Sequence, residues 1–184
     1  MVSVLMATDR EDRHFNDTFF AYAQNGAFAG VPELFKEQRG LSHAVRDIED
    51  VTAPVKGKTI IVFQRAAELP VSLIEPDKSV VLVDSSKGEL LSIVSASGLP
   101  AITCGMSNKD TVTLSSMDDD SAVVDLRRSI TGFDGIVIEP QEIPARCKRA
   151  PHRFALMAAA AVRLLSGTMR AGKEKSDADA LYYH

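Results

Sequence analysis

The sequence predicts an α/β single domain: a mainly parallel sheet flanked by helices, with an antiparallel meander extension over residues 111–138. Three observations predict it. Thr59 to Phe63 and Ser79 to Val83 are unbroken runs rich in β-branched residues, the mark of strands buried on both faces. From Ser79 to Cys104 the pattern runs strand, helix, strand within about 25 residues, the crossover that joins parallel neighbours. After Gly105 the texture changes to alternating segments with short turns, as in antiparallel strands with one wet face.

Each element follows in order. Val2 to Ala7 is a short apolar run and reads as a first strand; the charged cluster from Asp9 to His14 bounds it. Phe15, Phe19, Phe20 and Ala23 share helical spacing, so Phe15 to Gln24 reads as a helix that Asn25-Gly26 ends. Pro32 to Gln38, stopped by Gly40, reads as a second helix. Residues 41–58 are mixed and polar, with room for one short helix around Asp47, Glu49 and Asp50. Glu89 to Ser97 carries apolar Leu90, Leu91, Ile93 and Val94 and reads as a helix closed by Gly98-Leu-Pro100. Ala101 to Cys104 is a third buried-type strand. Thr111 to Ser116, Ala122 to Leu126 and Gly135 to Ile138 are the alternating strands, joined by turns at Asp118–Asp120 and Thr131–Gly135. Arg153 to Ser166, rich in Ala and Leu and ended by Gly167, reads as a well-buried helix. The domain is expected to span 1–167, with 168–184 a polar, flexible tail.

Composition excludes several classes. The net charge of −4 and a pI near 5.6 argue against a nucleic-acid partner. No run approaches the roughly 18–20 apolar residues of a membrane helix, and Arg163 interrupts the best candidate. No basic region precedes the first apolar run, so it is not read as a signal peptide. The two cysteines, Cys104 and Cys147, show no zinc-ligand spacing, and free thiols in a reducing cytoplasm are expected.

Residues 80–167 resemble the second half of the central domain of the Mur ligases, which attach amino acids to the peptidoglycan precursor. In that family a strand ending in an Asn-x-Asp-type loop leads through a helix to a strand with a terminal Tyr/Phe-Gly; the matching positions here read Leu82-Val-Asp84-Ser85 and Ile102-Thr-Cys-Gly105. The family's short meander is matched by Thr111 to Ile138. Its Gly-x-His-Asn-x-x-Asn-x-x-Ala-Ala helix start is matched by Ala150-Pro-His152-Arg153-Phe-Ala-Leu156-Met-Ala-Ala159-Ala160.

The departures bear on function. In the family the two asparagines of the helix start lie near the adenine of ATP. Arg153 and Leu156 stand there, and a leucine neither donates to nor accepts from a base edge. The only P-loop-like triplet, Gly57-Lys58-Thr59, has Thr52 in place of the first glycine and runs into Ile60-Ile61-Val62 rather than a helix. A phosphate cradle needs consecutive N–H groups at a helix N-terminus. Only 79 residues precede Val80 and 17 follow Gly167, so the resemblance implies a trimmed central domain.

Several clusters are candidate sites. Asp84, Ser85, Ser86 and Lys87 stand where a strand meets its helix, and ligands of open α/β sheets bind at such carboxyl ends. An anion site there competes with a capping box made by Ser86 and Glu89. Asn108 and Lys109 follow the next strand, either as a ligand loop or as a polar turn. His152 and Arg153 open the last helix within a basic stretch that includes Arg146, Lys148 and Arg149. Basic groups oppose the helix dipole there unless an anion or acidic partner joins them. The 9–14 cluster is read as acid/base or metal-binding chemistry, or as a salt-bridged helix start. Asp118, Asp119 and Asp120 lack the rest of an EF-hand and read as a turn.

The leading expectation is a non-catalytic or reduced Mur-ligase-like domain. It would bind an anionic small molecule or an acidic protein partner at loops 84–88, 105–110 and 146–153, with no cofactor and no metal. The alternatives are a fragment of an ATP-dependent peptidoglycan-precursor ligase working with a separate subunit, and a structural protein that assembles as an oligomer through helix 154–165.

Overall fold

The structure is a computed structural model and describes residues 2–25, 44–147 and 149–169. The described chain is an α/β domain. In chain order it runs β1 (Val2–Ala7), α1 (Arg13–Asn25), β2 (Ala44–Asp47), β3 (Lys58–Phe63), β4 (Ser79–Asp84), α2 (Gly88–Ser97) and β5 (Ala101–Cys104). There follow β6 (Val112–Met117), β7 (Ser121–Leu126), β8 (Ile130–Thr131), β9 (Val137–Ile138), β10 (Gln141–Arg146) and α3 (Arg153–Leu165). An eight-stranded sheet has the order β10-β7-β6-β5-β4-β3-β1-β2, and β8 and β9 form a separate two-stranded sheet. The strands from β2 to β6 are mutually parallel; β7 runs against both β6 and β10.

The strands alternate between two cores. Val4, Met6, Ile60, Val62 and Leu82 point to the face covered by α1 and α3. Leu5, Ala7, Ile61, Phe63, Val81 and Val83 point to the other face, where Leu90 and Val94 of α2 and residues of the connecting turns close over them. Ile60 to Phe63 are 0% exposed, so both sides of β3 are dry there, and these four residues include no polar side chain. α3 is buried from Phe154 to Leu165. Its alanines let it lie close to both the sheet and α1, where Phe15 and Phe19 pack in the same core.

Several boundaries differ from the sequence expectations. The segment around Asp47 begins as a strand, Ala44–Asp47, and only Ile48–Asp50 is helical, a single 3₁₀ turn with Asp47 as its cap. β2 pairs with β1, and that edge position outweighs the weak helical pattern. β10 lies beyond the strands that the alternation predicts, since Pro144 interrupts its pattern. Proline is tolerated since, among the described residues, β10 pairs only with β7 and its other edge is free of ladder bonds. Of the Gly135–Ile138 segment only Val137–Ile138 is a strand, and it belongs to the small sheet. The expected helix Pro32 to Gln38, the Gly26 stop and the tail from 170 onward lie outside the described residues.

Because Ala159 is fully buried in this helix–sheet layer, Ala159→Leu is expected to overpack it and cost about 1–3 kcal/mol. Urea unfolding should show the loss as a lower midpoint with an unchanged slope.

Candidate functional site

The strand order reverses between β1 and β3. The chain leaves β1 through α1 to reach β2 on one side, then continues on the other side through β3, β4 and β5. Such a switch point leaves a crevice outside the carboxyl ends of the two strands. The two loops are joined at its base: the N–H groups of Gln64 and Arg65 both donate to Ala7 O, at 2.9 and 2.8 Å. A cleft of about 560 Å3 opens there, lined by Asp9 and Asp12 from the β1 loop, Gln64 and Arg65 from the β3 loop, and Lys87 to Leu90 at the start of α2.

Each wall has a local cause. Asp12 caps α1, its Oδ1 accepting from Phe15 N–H at 2.9 Å. Arg10 ties the same loop to Asp47 at 2.7 Å and Asp50 at 3.0 Å. The 9–14 cluster is therefore a salt-bridged helix start. Arg65 meets Glu49 at 2.8 Å, so part of its charge is already met. Lys87 folds its ammonium over the end of β3 and donates to Gln64 O at 2.7 Å. It stands at the N-cap of α2, and among the described residues no side chain caps that helix.

Ser86 is not the cap that the sequence pattern suggested. Its N–H and hydroxyl both donate to Asp84 Oδ1, at 3.1 and 2.6 Å, and α2 starts two residues later at Gly88. Asp84 closes this turn because its buried carboxylate takes local donors more cheaply than it stays unpaired. Ser85 N–H and hydroxyl turn the other way, to Cys104 O at 3.1 and 3.4 Å. Of the 84–87 turn, Lys87 Nζ is thus the donor with hydrogens to spare.

The next loop locks onto this one through a glycine. A Cβ at Gly105 would overlap Ser85 Oγ and come within 2.6 Å of Asp110 Oδ2. Asp110 is 3% exposed, and its Oδ2 accepts from Ser107 N–H at 2.8 Å. Asn108 and Lys109 are exposed on the outer turn of this loop. Cys104, beneath both loops, is buried; desolvation, with the charges of Asp110 and Asp84, pushes its thiol pKa well up, so it is not a nucleophile. Cys147 is also a free, buried thiol.

His152 joins the edge from the opposite side. Its Nδ1 accepts from Ala155 N–H at 3.3 Å and caps α3. The ring lies edge-on to His14 and Phe15, at 5.4 Å from each. With Nδ1 accepting, the ring proton is on Nε2. That nitrogen stands 3.4 Å from Gln64 Nε2, while Gln64 Oε1 is buried without a partner among the described residues. A half-turn of the amide sets the oxygen against the ring N–H and makes this contact a hydrogen bond. Asp12 Oδ2 is 3.8 Å from the same ring nitrogen. Arg153 is exposed on the first turn, and Arg149 pairs with Asp17 at 2.6 Å rather than facing the cleft.

The fold thus brings Asp84, Ser85, Ser86, Lys87 and His152 to one edge, with Asn108 and Lys109 on its rim. No sequence motif marks Gln64 and Arg65. The signal for them is positional: they directly follow a fully buried parallel strand. Among the described residues no group of three His, Cys, Asp or Glu is placed to hold a metal ion, and no helix is long and apolar enough to cross a membrane.

No family model matches the sequence. No curated protein matches it either. Among solved structures the chain is similar to a crystal structure of MurF from Acinetobacter baumannii, with 15% sequence identity and a TM-score of 0.46. The match covers 90% of this chain, which spans 42% of the length of that one.

Burial holds the His152 pKa below its ordinary value; Asp12 and Asp84 oppose the shift, while His14 and Lys87 add to it. The unfolded chain then takes up the proton first as pH falls. The histidine's contribution to stability is complete above about pH 6.5 and is lost as pH falls through the lower folded value. Melting temperature should therefore fall as pH drops below about 6.5. His152→Asn, which still caps but does not titrate, should flatten that part of the curve.

Proposed function

We propose that the protein is a binding domain that holds a small anionic molecule in the cleft at the β1–β3 switch point and carries out no ATP-dependent ligation of its own. The observation that carries this reading is the convergence of Lys87 and the uncapped start of α2 on that cleft. Free N–H groups at a helix start and a lysine with spare donors attract an anion. The volume of about 560 Å3 suits a small ligand. Asp9, Asp12 and Glu89 share the lining. The anion would therefore also carry hydroxyl or amine donors to meet those carboxylates.

The absence of ligation rests on position. Phosphoryl transfer is mostly placement and charge stabilisation. Lys58 and Thr59 stand at the amino end of β3, where no helix follows them. Gly57 before them has φ +87° and turns the chain into the strand. The loop after β1 presents carboxylates to the cleft instead.

The test is a titration with inorganic phosphate, nucleotides, UDP-sugars and muramyl peptides; the last two are chosen because the sequence resembles Mur ligase central domains. A ligand at 100 times its Kd should stabilise the wild type by about 2.7 kcal/mol in thermal unfolding. Lys87→Met should weaken binding about ten-fold, about 1.4 kcal/mol, while the folded spectrum is kept. Binding by none of these probes, or equal binding by the variant, would refute the site. Turnover of a muramyl precursor with Mg-ATP would refute the claim that ligation is absent.

A further inference from the structure

The opposite edge of the sheet holds a second cavity, of about 520 Å3, at the amino ends of β3, β4 and β5. It shares no lining residue with the switch-point cleft. Its floor is apolar: Val80, Ile102, Ile130 and Leu165 are each less than 9% exposed. Phe133 forms one wall, and its place is fixed from the backbone. Phe133 N–H donates to Leu165 O at 2.8 Å, and Gly132 N–H donates to Ile136 O at 2.9 Å. The first of these bonds also occupies a carbonyl at the C-terminus of α3, an end that otherwise disfavours anions.

The charge at the rim is uneven. Lys78 pairs with Glu75, and the nearby Asp77 acts on that same lysine. Lys58 has no carboxylate partner among the described residues. Its ammonium lies 5.9 Å from the centre of the Phe133 ring. A half-buried cation set on an aromatic wall above an apolar floor matches a molecule with a ring at one end and a single negative charge at the other.

We infer that this amino-edge cavity is a second binding site, which takes a small aromatic monoanion whose ring packs against Phe133 and the floor and whose carboxylate meets Lys58. The Gly57-Lys58-Thr59 triplet thereby has a use that is unrelated to a phosphate loop. The site does not depend on the cleft proposed above, since the two lie at opposite ends of the strands.

The experiment titrates isotope-labelled protein with 2-naphthoate and with the neutral 2-naphthamide, reading amide shifts. Naphthoate should move the amides of residues 131–135 and of Ala101 and Ile102, and should bind more tightly than the amide. Lys58→Met should raise the naphthoate Kd about ten-fold and change the naphthamide Kd by less than about two-fold. Lys58→Arg should keep the preference for the acid, and Phe133→Leu should weaken both probes. The inference fails if naphthoate moves no amide of this cavity, if its shifts fall at residues 64–65 and 87–90, or if Lys58→Met weakens both probes equally.

Discussion

Strands that are apolar on both faces constrain this molecule more than any other feature. β1, β3 and β4 present side chains to two separate cores, and each core needs its own cover. Helices on both faces satisfy that need, and right-handed crossovers place them there only if the chain moves outward from β1 in two directions. With α1 on one face and α2 on the other, the strand order must reverse between β1 and β3. The crevice at the carboxyl ends is a consequence of covering the sheet.

The buried helix α3 extends the same logic. Twelve of its residues are buried, which leaves no room for an exposed polar face. Arg163 is 6% exposed, and its guanidinium donates to Tyr22 O at 3.4 Å and Thr168 O at 3.5 Å, while Nε has no partner among the described residues. Burial lowers its pKa, though an arginine remains charged. It ties the last turn of α1 to the segment after α3. At the other end of α3, His152 caps the helix while touching Gln64 and facing Asp12. The helix that fills the core is in this way joined directly to the cleft, and a change of charge at one ring bears on both.

Much of this was legible in the residues. Strands β1, β3, β4 and β5 and helices α1, α2 and α3 follow from unbroken apolar runs or helical spacing, because burial selects side chains strongly there. The parallel core with an antiparallel extension follows from the change of period after Gly105. β10 was hidden because an edge strand tolerates Pro144 and leaves Glu142 and Arg146 exposed. β2 was hidden because four residues against one neighbour need little hydrophobic pattern. Ser86 looked like a cap by spacing, but a buried Asp84 two residues earlier claimed its hydrogens.

By itself the sequence determined the fold class, the buried strands, the three helices and the candidate edge loops 84–87 and 105–110, since each depends on local pattern and composition. Only the tertiary structure decided that Gln64, Arg65 and Asp12 share a cleft with Lys87, that His152 touches Gln64, and that Lys58 lies against Phe133. Those pairs are far apart along the chain. Their meeting is set by which strand lies beside which, and no local preference encodes that.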